Sequence, residues 1–296
     1  MSLRVSVVVP AYNAAATIKG CLTALKAQSL PRSAYEVIII DDGSSDDTAA
    51  KVQSAGVRLV RQANRGAPAA RNAGIAAAKA PWVAFTDADC LPSRAWLATL
   101  MAAVEREPAD PPALGAAGKL LGFASEAKPA RFVDLSGGLD AQRHLSHPKF
   151  PFAPTCNAMY RKAALQAVGG FDERYASYDA CDLHTRLSKS QRGAFYFEPR
   201  AVVLHRHRTS WKEYWRQQFA YGIGYAQFIL HHRTEVRWSA RQEIRALADL
   251  TRLSVGACLP ANGDVALLRR GTLIKKAAQH AGFVSTYWRP GERKRW

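Results

Sequence analysis

The chain has 296 residues, of which 48% are hydrophobic, and its 41 Lys and Arg against 24 Asp and Glu give a formal net charge of +17. This length suits one large domain or two small ones with a packed core. No stretch approaches the roughly 18 consecutive apolar residues of a membrane-spanning helix, and the first residues lack a signal-peptide pattern. The five cysteines are scattered without metal-binding spacing, which indicates reduced thiols in a cytoplasmic protein.

The first third of the chain alternates short apolar runs with helical segments. Three β-branched runs predict strands: Val5–Val9, Val37–Ile40 and Val57–Val60. Apolar residues at helical spacing predict a helix over Thr17–Gln28, and Ser45 or Asp46 can cap a second helix that ends at Val52. The alternation indicates an α/β fold, with a mostly parallel sheet flanked by helices.

A fourth apolar run, Pro81–Thr86, is followed directly by Asp87-Ala88-Asp89. In open α/β sheets, ligands bind at the carboxyl ends of the strands. Hard divalent cations take carboxylate oxygens and leave positions open for substrate phosphates. Two acidic residues in this arrangement are common in loops, but their context here favours a site for a metal ion and a diphosphate.

The middle of the chain is less regular. We expect Ala109–Gly122 to be a loop that leads into a strand, and Phe123–Pro154 to be an irregular segment near the substrate. Shorter patterns predict strands at Thr155–Tyr160, Ala194–Phe197 and Ala201–Leu204, and helices at Arg161–Val168 and Leu183–Ser190. From Ser210 onward the pattern is helical, with aromatic and basic residues interleaved.

Taken together, the motifs resemble those of the family 2 glycosyltransferases with the GT-A fold, over about three quarters of the chain. The motifs that carry the resemblance are Pro10-Ala11-Tyr12-Asn13, the Asp41–Thr48 block, Asn64-Arg65-Gly66, Ala70–Gly74, Asp87-Ala88-Asp89, Gly169–Glu173 and Asp182-Leu183 with Arg186-Leu187. The resemblance implies transfer of a sugar from a nucleotide-sugar donor, usually with inversion and with Mg²⁺ or Mn²⁺. A UDP-sugar is the expected donor, and GDP- and dTDP-sugars are left open. It implies a catalytic domain over 1–208, with a nucleotide-sugar-binding half over 1–105 and an acceptor half over 106–208, and a basic helical extension over 209–296.

The resemblance also implies which residues bind the donor. They are Pro10, Ala11, Tyr12, Asn13, Asp41, Asp42, Asn64, Arg71, Asp87 and Ala88. Asp42 can accept hydrogen bonds from a base N–H, and Asp41 can do the same or brace its loop, while helix capping is the alternative for this acidic block. The Arg71 guanidinium can hold a diphosphate or stack on the base, or pair with a carboxylate of the Asp block.

Metal binding is assigned by the resemblance to Asp89, with Asp87 near the ribose or the metal. Two carboxylates in one loop repel each other, so a cation is expected to bring them together. His205 follows a predicted strand and is the expected second ligand, with His207 as the weaker alternative. Imidazole suits Mn²⁺ better than Mg²⁺.

The catalytic base is the position at which the chain departs from the family. Members commonly carry Glu-Asp, one residue, then Asp or Glu and Leu. Alignment on Asp182-Leu183 places Asp179 at the Glu position and Ala180 at the usual Asp position. Asp179, through a one-residue shift of its loop, and Asp182, which can instead cap a helix, are the two candidates. Ala180 leaves a non-catalytic sugar-nucleotide binder open, whereas a nucleotidyltransferase would need a Gly-rich phosphate loop that the sequence lacks.

Positive charge is concentrated in the last third of the chain. His205–Trp296 carries 17 Lys and Arg and 6 Asp and Glu, a net charge of +11. Such a segment attracts polyanions, although a solubilising set of exposed charges is the alternative. With no nucleic-acid-binding motif present, we expect no nucleic-acid partner. The expected acceptor is a glycan or lipid-linked molecule, which leaves attachment to the inner, anionic face of a membrane open, with Trp288–Trp296 as the anchor or as a disordered tail.

Overall fold

The computed structural model describes residues 2–106, 112–123 and 126–288. The chain folds into two compact units. Unit 1 comprises Met1–Phe123, Leu139–Glu173 and Asp179–Arg206, and unit 2 comprises Ala124–Gly138, Arg174–Tyr178 and His207–Trp296. The predicted anchor Trp288–Trp296 lies, apart from Trp288, outside the described residues.

The strands of the described residues form one sheet in unit 1. They are β1 Val5–Ala11, β2 Tyr35–Asp41, β3 Arg58–Arg61, β4 Trp82–Phe85, β5 Cys90–Pro92, β6 Ala113–Gly122, β7 Ala158–Arg161 and β8 Ala194–His205. Their spatial order is β3-β2-β1-β4-β7-β6-β8-β5. The first four are parallel, β7 runs antiparallel to both β4 and β6, β8 is parallel to β6, and β5 is antiparallel to β8. The predicted α/β class with a mostly parallel sheet is confirmed.

Helices flank the sheet in unit 1 and make up most of unit 2. The helices are α1 Ile18–Lys26, α2 Thr48–Ser54, α3 Ala67–Ala77, α4 Trp96–Glu105, α5 Lys128–Leu135, α6 Ala141–Leu145, α7 Lys162–Ala167, α8 Asp179–Ser190, α9 Trp211–His231, α10 Ala240–Cys258 and α11 Gly263–Tyr287. Of these, α5 and α9 to α11 belong to unit 2. Within the described residues, none of the helices combines the length and the apolar character needed to cross a bilayer.

The central strand β1 is buried on both faces, as its continuous run of valines predicts. Val7 packs into the apolar cluster that includes residues of α1 and α4, whereas Val8 packs into the cluster on the side of α3 and α8. A Cβ atom at Gly74 of α3 would lie 2.1 Å from Val8 Cγ1. Only glycine therefore lets α3 approach the sheet this closely, and that approach fixes the position of Arg71 on the same helix.

The segment expected to be irregular, Phe123–Pro154, contains α5 and α6, so that expectation is wrong. Proline in the first turn of α5 is compatible with a helix start. Asp140 caps α6 by accepting a hydrogen bond from the Arg143 N–H. Both helices are short, and the Gly and Pro residues around them hide the helical spacing.

Two further predicted boundaries are wrong. The runs Ala194–Phe197 and Ala201–Leu204 form a single strand, β8, whose pairing with β6 shifts between Gly118 and Lys119. The predicted strand Thr155–Tyr160 starts as a 3₁₀ turn over Thr155–Asn157 before β7 begins. Both departures depend on partners distant in sequence, because strand continuity is set by pairing with β6 and not by local composition.

Unit 2 is built around the antiparallel contact of α9 and α11. Cβ atoms at Gly222 and Gly282 would lie 1.9 Å from the Gln279 carbonyl oxygen and 2.1 Å from the Phe219 carbonyl oxygen. These glycines therefore let the two helix backbones touch. At α10, Ser239 and Gln242 form a reciprocal capping box, which fixes the start of that helix.

The cysteines differ sharply in their accessibility. Cys258, at the end of α10, is exposed, whereas the other four, Cys21, Cys90, Cys156 and Cys181, are buried thiols. Burial raises the pKa of Cys21 and raises that of Cys181 to about 12.

His184 anchors α8 in the core of unit 1. Its Nε2 accepts hydrogen bonds from the Ala153 N–H at 3.2 Å and from the Tyr160 hydroxyl at 2.9 Å. Nε2 therefore carries no proton, and the imidazole ring is neutral. Burial disfavours the charged ring and lowers the pKa of His184 to about 3.

Acid should therefore destabilise the fold through His184. The unfolded side chain has a pKa near 6.5, so the neutral ring stabilises the folded state fully above that pH and progressively less as the pH falls toward 3. We expect this residue to remove about 2 kcal/mol of the free energy of unfolding between pH 7.5 and pH 5. The measurement is urea unfolding of wild type and His184→Gln, whose amide oxygen can accept both hydrogen bonds. Parallel pH profiles for the two proteins would contradict this assignment.

Candidate functional site

The predicted donor-binding residues lie at one edge of the sheet in unit 1. The parallel strands β1, β2 and β4 are neighbours, so their carboxyl ends meet at this edge. Pro10 and Ala11 end β1, Asp41 ends β2, and Asp87 and Ala88 follow β4 by two or three residues. The structure therefore brings three of the predicted loops together, at the position where open α/β sheets bind ligands.

The loop after β1 is tied to the loop after β2 by Asn13. Its side-chain Oδ1 accepts the Ser45 N–H at 2.9 Å, and its own N–H donates to Ser44 Oγ at 2.9 Å. Asn13 has a φ of 47°, a left-handed conformation that asparagine tolerates better than most residues. Beside this fixed backbone the Tyr12 side chain is 53% exposed, so its ring is available to pack against a ligand.

Asp42 is buried and organises the segment that precedes α3. Its carboxylate accepts the Gln62 side-chain amide at 2.7 Å, the Arg65 N–H at 2.9 Å and the Gly66 N–H at 2.8 Å. These contacts lie on both sides of Asn64 in the sequence and fix the turn on which the Asn64 side chain is exposed. Base recognition by Asp42 stays a prediction. What the structure shows is a carboxylate that orders the loop around the predicted nucleoside site.

Asp41 is fully buried and braces its loop, which is one of the two roles expected for it, while base recognition by Asp41 stays a prediction. It accepts the Ser44 N–H at 3.1 Å, and its second oxygen lies 3.0 Å from Arg61 Nε. Asp41 therefore holds the loop after β2 and the end of β3, whereas Asp42 holds the segment before α3. Both carboxylates fix loops at this edge of the sheet.

Arg71 lies between two carboxylates from distant parts of the chain. Its Nη1 donates to Asp179 at 2.7 Å, and its Nη2 lies 3.5 Å from Asp87 Oδ1. Its guanidinium carbon stands 5.6 Å from the Phe171 ring centre, so an aromatic face supports the cation. Burial opposes the charge, but Asp179 and Asp87 outweigh it and raise the pKa of Arg71. The pairing with the Asp41–Thr48 block that the sequence left open is not the one observed.

Phe171 is held under Arg71 by Asn72. The Asn72 side chain accepts the Phe171 N–H and donates to the Phe171 carbonyl, both at 2.8 Å. Gly170 has a φ of 71°, and a Cβ there would lie 2.5 Å from Asn72 Oδ1. The turn therefore requires glycine, and the motifs Ala70–Gly74 and Gly169–Glu173 are two halves of one contact.

Asp89 and His205 meet where β5 pairs with β8. The strand register places Cys90 opposite His205, and His205 Nε2 lies 3.8 Å from Asp89 Oδ1. Donor atoms of Asp89, Cys90 and His205 all lie within 4.8 Å of one another. Hydrogen bonding to Cys156, together with burial, raises the pKa of Cys90 well above its usual value, so it presents a thiol and not a thiolate. The carboxylate and the imidazole are the ligands that fit Mn²⁺ here.

His207 does not join this cluster. It belongs to unit 2, where its Nε2 lies 3.2 Å from Asp134 Oδ1. Of the two histidines weighed from the sequence, only His205 is brought to Asp89.

A pocket of about 110 Å³ opens beside Asp89. Its lining includes Thr17 and Gly20 from the α1 region, together with Leu91, Phe123 and Arg206. The Arg206 guanidinium carbon lies 4.9 Å from the Phe123 ring centre. Sequence reasoning missed Arg206 and Phe123, because 82 residues separate them from each other and neither belongs to a motif.

The two candidate bases differ in their surroundings. The Asp182 carboxylate pairs with Arg186 Nε at 2.8 Å, and Arg186 also donates to the carbonyls of Val168 and Gly170. Asp182 is therefore part of a buried brace between α8 and the turn after α7. Asp179, the first residue of α8, instead lies at the Arg71 side chain, next to Tyr178, whose φ of 66° is rare for a non-glycine residue.

Comparison with known proteins gives a consistent family. The model of glycosyl transferase family 2 matches residues 6–169. The chain is similar to the pre-mycofactocin glycosyltransferase of Mycobacterium tuberculosis, with 33% identity over 239 residues that cover 77% of this chain. It spans about half of that relative, 48% of its length.

Solved structures show the same fold. The mannosyltransferase PcManGT from Pyrobaculum calidifontis, in complex with GDP-Man and Mn²⁺, matches with a TM-score of 0.67 and 19% identity, over 99% of this chain and 89% of that one. TarS 1-349 of S. aureus, in complex with UDP-GlcNAc, matches with a TM-score of 0.56 and 16% identity, over 97% and 92% of the two chains. The GT-A fold expected from the motifs is confirmed.

Replacing Asp42 should loosen the loop that it organises. Asp42→Asn turns one acceptor oxygen into a donor that faces N–H groups, so we expect a loss of about 1–3 kcal/mol in the free energy of unfolding. Asp47→Asn is the matched control, because Asp47 is exposed and its side chain makes no capping hydrogen bond; its effect should stay within about 0.5 kcal/mol. Urea unfolding of both variants measures the difference, and equal stabilities would show that Asp42 does not brace this loop.

Proposed function

Because the chain belongs to glycosyl transferase family 2, we propose that it transfers a sugar from a nucleoside-diphosphate sugar to an acceptor hydroxyl, with inversion at the anomeric carbon and with a divalent metal ion. The observation that carries this proposal is the network in which Arg71 joins Asp87, in the predicted donor loop, to Asp179, the candidate base. A donor loop and a basic carboxylate must be close for the acceptor oxygen to reach the sugar.

The donor is proposed to bind at the carboxyl ends of β1, β2 and β4. The backbone that Asn13 and Asp42 order forms the nucleoside side of this site, with Tyr12 free to stack. The Arg71 guanidinium is proposed to face the diphosphate, because a rigid fork of donors suits phosphate oxygens. UDP-sugar is the expected donor, and TarS binds UDP-GlcNAc; PcManGT binds GDP-Man, so a GDP-sugar is the competing donor.

Asp89 and His205 are the residues that would hold the metal ion. Their carboxylate and imidazole donors lie together in unit 1, and Mn²⁺ accepts both ligand types. A bound divalent cation supplies Lewis-acid stabilisation of the negative charge that develops on the departing diphosphate. Mn²⁺ in the PcManGT complex supports this choice.

Asp179 is proposed as the general base. Its carboxylate takes the proton of the acceptor hydroxyl while that oxygen forms a bond to the anomeric carbon. The bond from the anomeric carbon to the diphosphate oxygen breaks in the same step, and the nucleoside diphosphate leaves with the electron pair. Attack opposite to the leaving group inverts the sugar configuration. Both candidate carboxylates pair with an arginine, but Asp179 shares Arg71 with Asp87 of the predicted donor loop, whereas Asp182 is held by Arg186. This proximity to the donor loop favours Asp179 for the role.

The acceptor is proposed to be a glycan or a lipid-linked molecule. Residues 207–288 carry 12 Lys and Arg and 5 Asp and Glu, a net charge of +7. Such a segment attracts the phosphate groups of a lipid-linked acceptor or of the membrane that holds it.

Donor binding can be measured before any acceptor is known. A nucleotide that binds only the folded state adds about 2.7 kcal/mol at 100 times its dissociation constant. In a thermal-shift panel of UDP, GDP, dTDP and CDP with and without Mn²⁺, we expect one nucleotide, UDP, to raise Tm in a metal-dependent manner. Asp89→Ala should lose that dependence, whereas Asp140→Ala, a change in the cap of α6, should keep it. No nucleotide response from the wild type would contradict the donor site.

The role of Asp179 predicts a loss of transfer without a loss of donor binding. Asp179→Asn should lower kcat by at least about 100-fold and retain the nucleotide-induced shift in Tm. Asp182→Asn should instead lower Tm, with kcat of the folded protein within about tenfold of wild type. Near-normal transfer by Asp179→Asn would overturn the assignment of the base. A wild-type protein that binds donor and neither transfers nor slowly hydrolyses it would be the non-catalytic binder that Ala180 leaves open.

A further inference from the structure

Helix α10 in unit 2 carries apolar side chains on two sides. Its half-buried side, which includes Leu250 and Leu253, packs on α11. On its outer side, Ile244, Leu247 and Val255 are 65%, 50% and 60% exposed. With Thr251, these positions follow the spacing of one helix face. We call Ile244, Leu247, Thr251 and Val255 the outer face of α10.

The exposure of this face is unusual for the chain. Among the described residues, ten large hydrophobic side chains are exposed, and five of them lie between positions 244 and 265. Leu259 and Val265, in and after the connection to α11, add to the three on α10. Single apolar side chains exposed at scattered positions are common on protein surfaces. Several on one helix face indicate a surface that a binding partner covers.

Arginines border the outer face. Arg241, Arg245 and Arg252 are exposed, and helical geometry at 100° per residue places all three along one edge of it. Arg233 and Arg237 continue this series at four-residue intervals before α10 begins, and both are exposed.

Acidic side chains in the same region are engaged with basic or polar partners. Glu243 accepts from Trp238 Nε1 at 2.8 Å and lies 3.2 Å from His280 Nε2. Asp249 pairs with Arg252 at 3.0 Å, and Asp264 pairs with Arg131 at 2.7 Å. Residues 233–255 carry five Arg and three Asp and Glu, so the border of the outer face keeps a net charge of +2.

We infer that the outer face of α10 is a docking surface for an anionic lipid bilayer. An apolar stripe bordered by arginines suits the boundary between lipid headgroups and acyl chains, where the stripe is buried and the arginines reach phosphates. Charge complementarity favours this occupant. An anionic bilayer offers acyl chains to the apolar stripe and negatively charged headgroups to the arginines that border it. The inference does not depend on the proposed reaction, and it assigns membrane contact to α10 and not to the segment 289–296.

Vesicle flotation tests the inference on the full chain. We expect wild type to float with vesicles that contain phosphatidylglycerol, and to bind phosphatidylcholine vesicles far more weakly. The triple variant Ile244→Ser, Leu247→Ser, Val255→Ser should bind the anionic vesicles about tenfold more weakly or worse, with unchanged far-UV circular dichroism. Failure of the wild type to float, or equal flotation of the triple variant, would overturn the inference.

A charge variant gives an independent arm. Arg241→Gln with Arg245→Gln should weaken binding at low salt by at least roughly tenfold, since each arginine near an anionic surface adds to the attraction. Lys79→Gln with Lys189→Gln is the matched control, because it removes the same charge from exposed positions in unit 1 and should bind as wild type does. Equal losses in the two double variants would reduce the effect to net charge and overturn the inference.

Two further measurements separate the other occupants. Deletion of residues 289–296 should leave most of the binding; its abolition would assign the contact to that segment instead. In sedimentation velocity without lipid, wild type should form no concentration-dependent dimer through the outer face. A dimer of this kind would be absent in the triple serine variant. Such a dimer would make the outer face an interface between copies of the chain.

Discussion

The candidate site depends on one buried cation. Arg71 stands on α3, and its guanidinium joins a carboxylate that follows β4 to a carboxylate at the start of α8. A buried charge is costly unless it is paired, so neither Asp87 nor Asp179 can move away without leaving Arg71 uncompensated. Phe171 supports the cation from below, and Asn72 fixes that ring. Two helices, one turn and one strand end are thus held in a single arrangement by electrostatics.

This constraint explains why several close backbone contacts occur in the same region. Gly74 lets α3 rest on Val8, and Gly170 lets its turn rest on Asn72. The Gly74 contact restricts the movement of the helix that carries Arg71. The Gly170 contact restricts the movement of the turn that carries Phe171. Rigid placement of functional groups is what lowers the entropic cost of bringing reactants together. The loops around Asn13 and Asp42 continue the same principle at the nucleoside side, since both side chains accept hydrogen bonds from backbone N–H groups of neighbouring segments.

The sequence was informative where structure is determined locally. Strands β1, β2 and β4 have continuous apolar runs and polar ends, so the edge at which Asp42 and Asp87 meet could be predicted. The pairing of Arg71 with Asp179 could not be predicted, because the two residues lie 108 positions apart and spacing does not encode which buried charges meet. Helices α5 and α6 were missed since their stability comes from packing and caps and not from a long periodic pattern. The fold gives the positions of Asp42, Asp89, Asp179 and His205. Their chemical roles stay predictions.

The distribution of the five cysteines has a practical consequence. Four are buried, and the pKa values of Cys21, Cys90 and Cys181 are raised, which leaves little reactive thiolate at these positions near neutral pH. Cys258 is exposed at the end of α10. A maleimide fluorophore added to the native protein should therefore attach at a single position without any engineered substitution. That position lies on the helix whose surroundings are in question, so the emission of such a dye would report them directly.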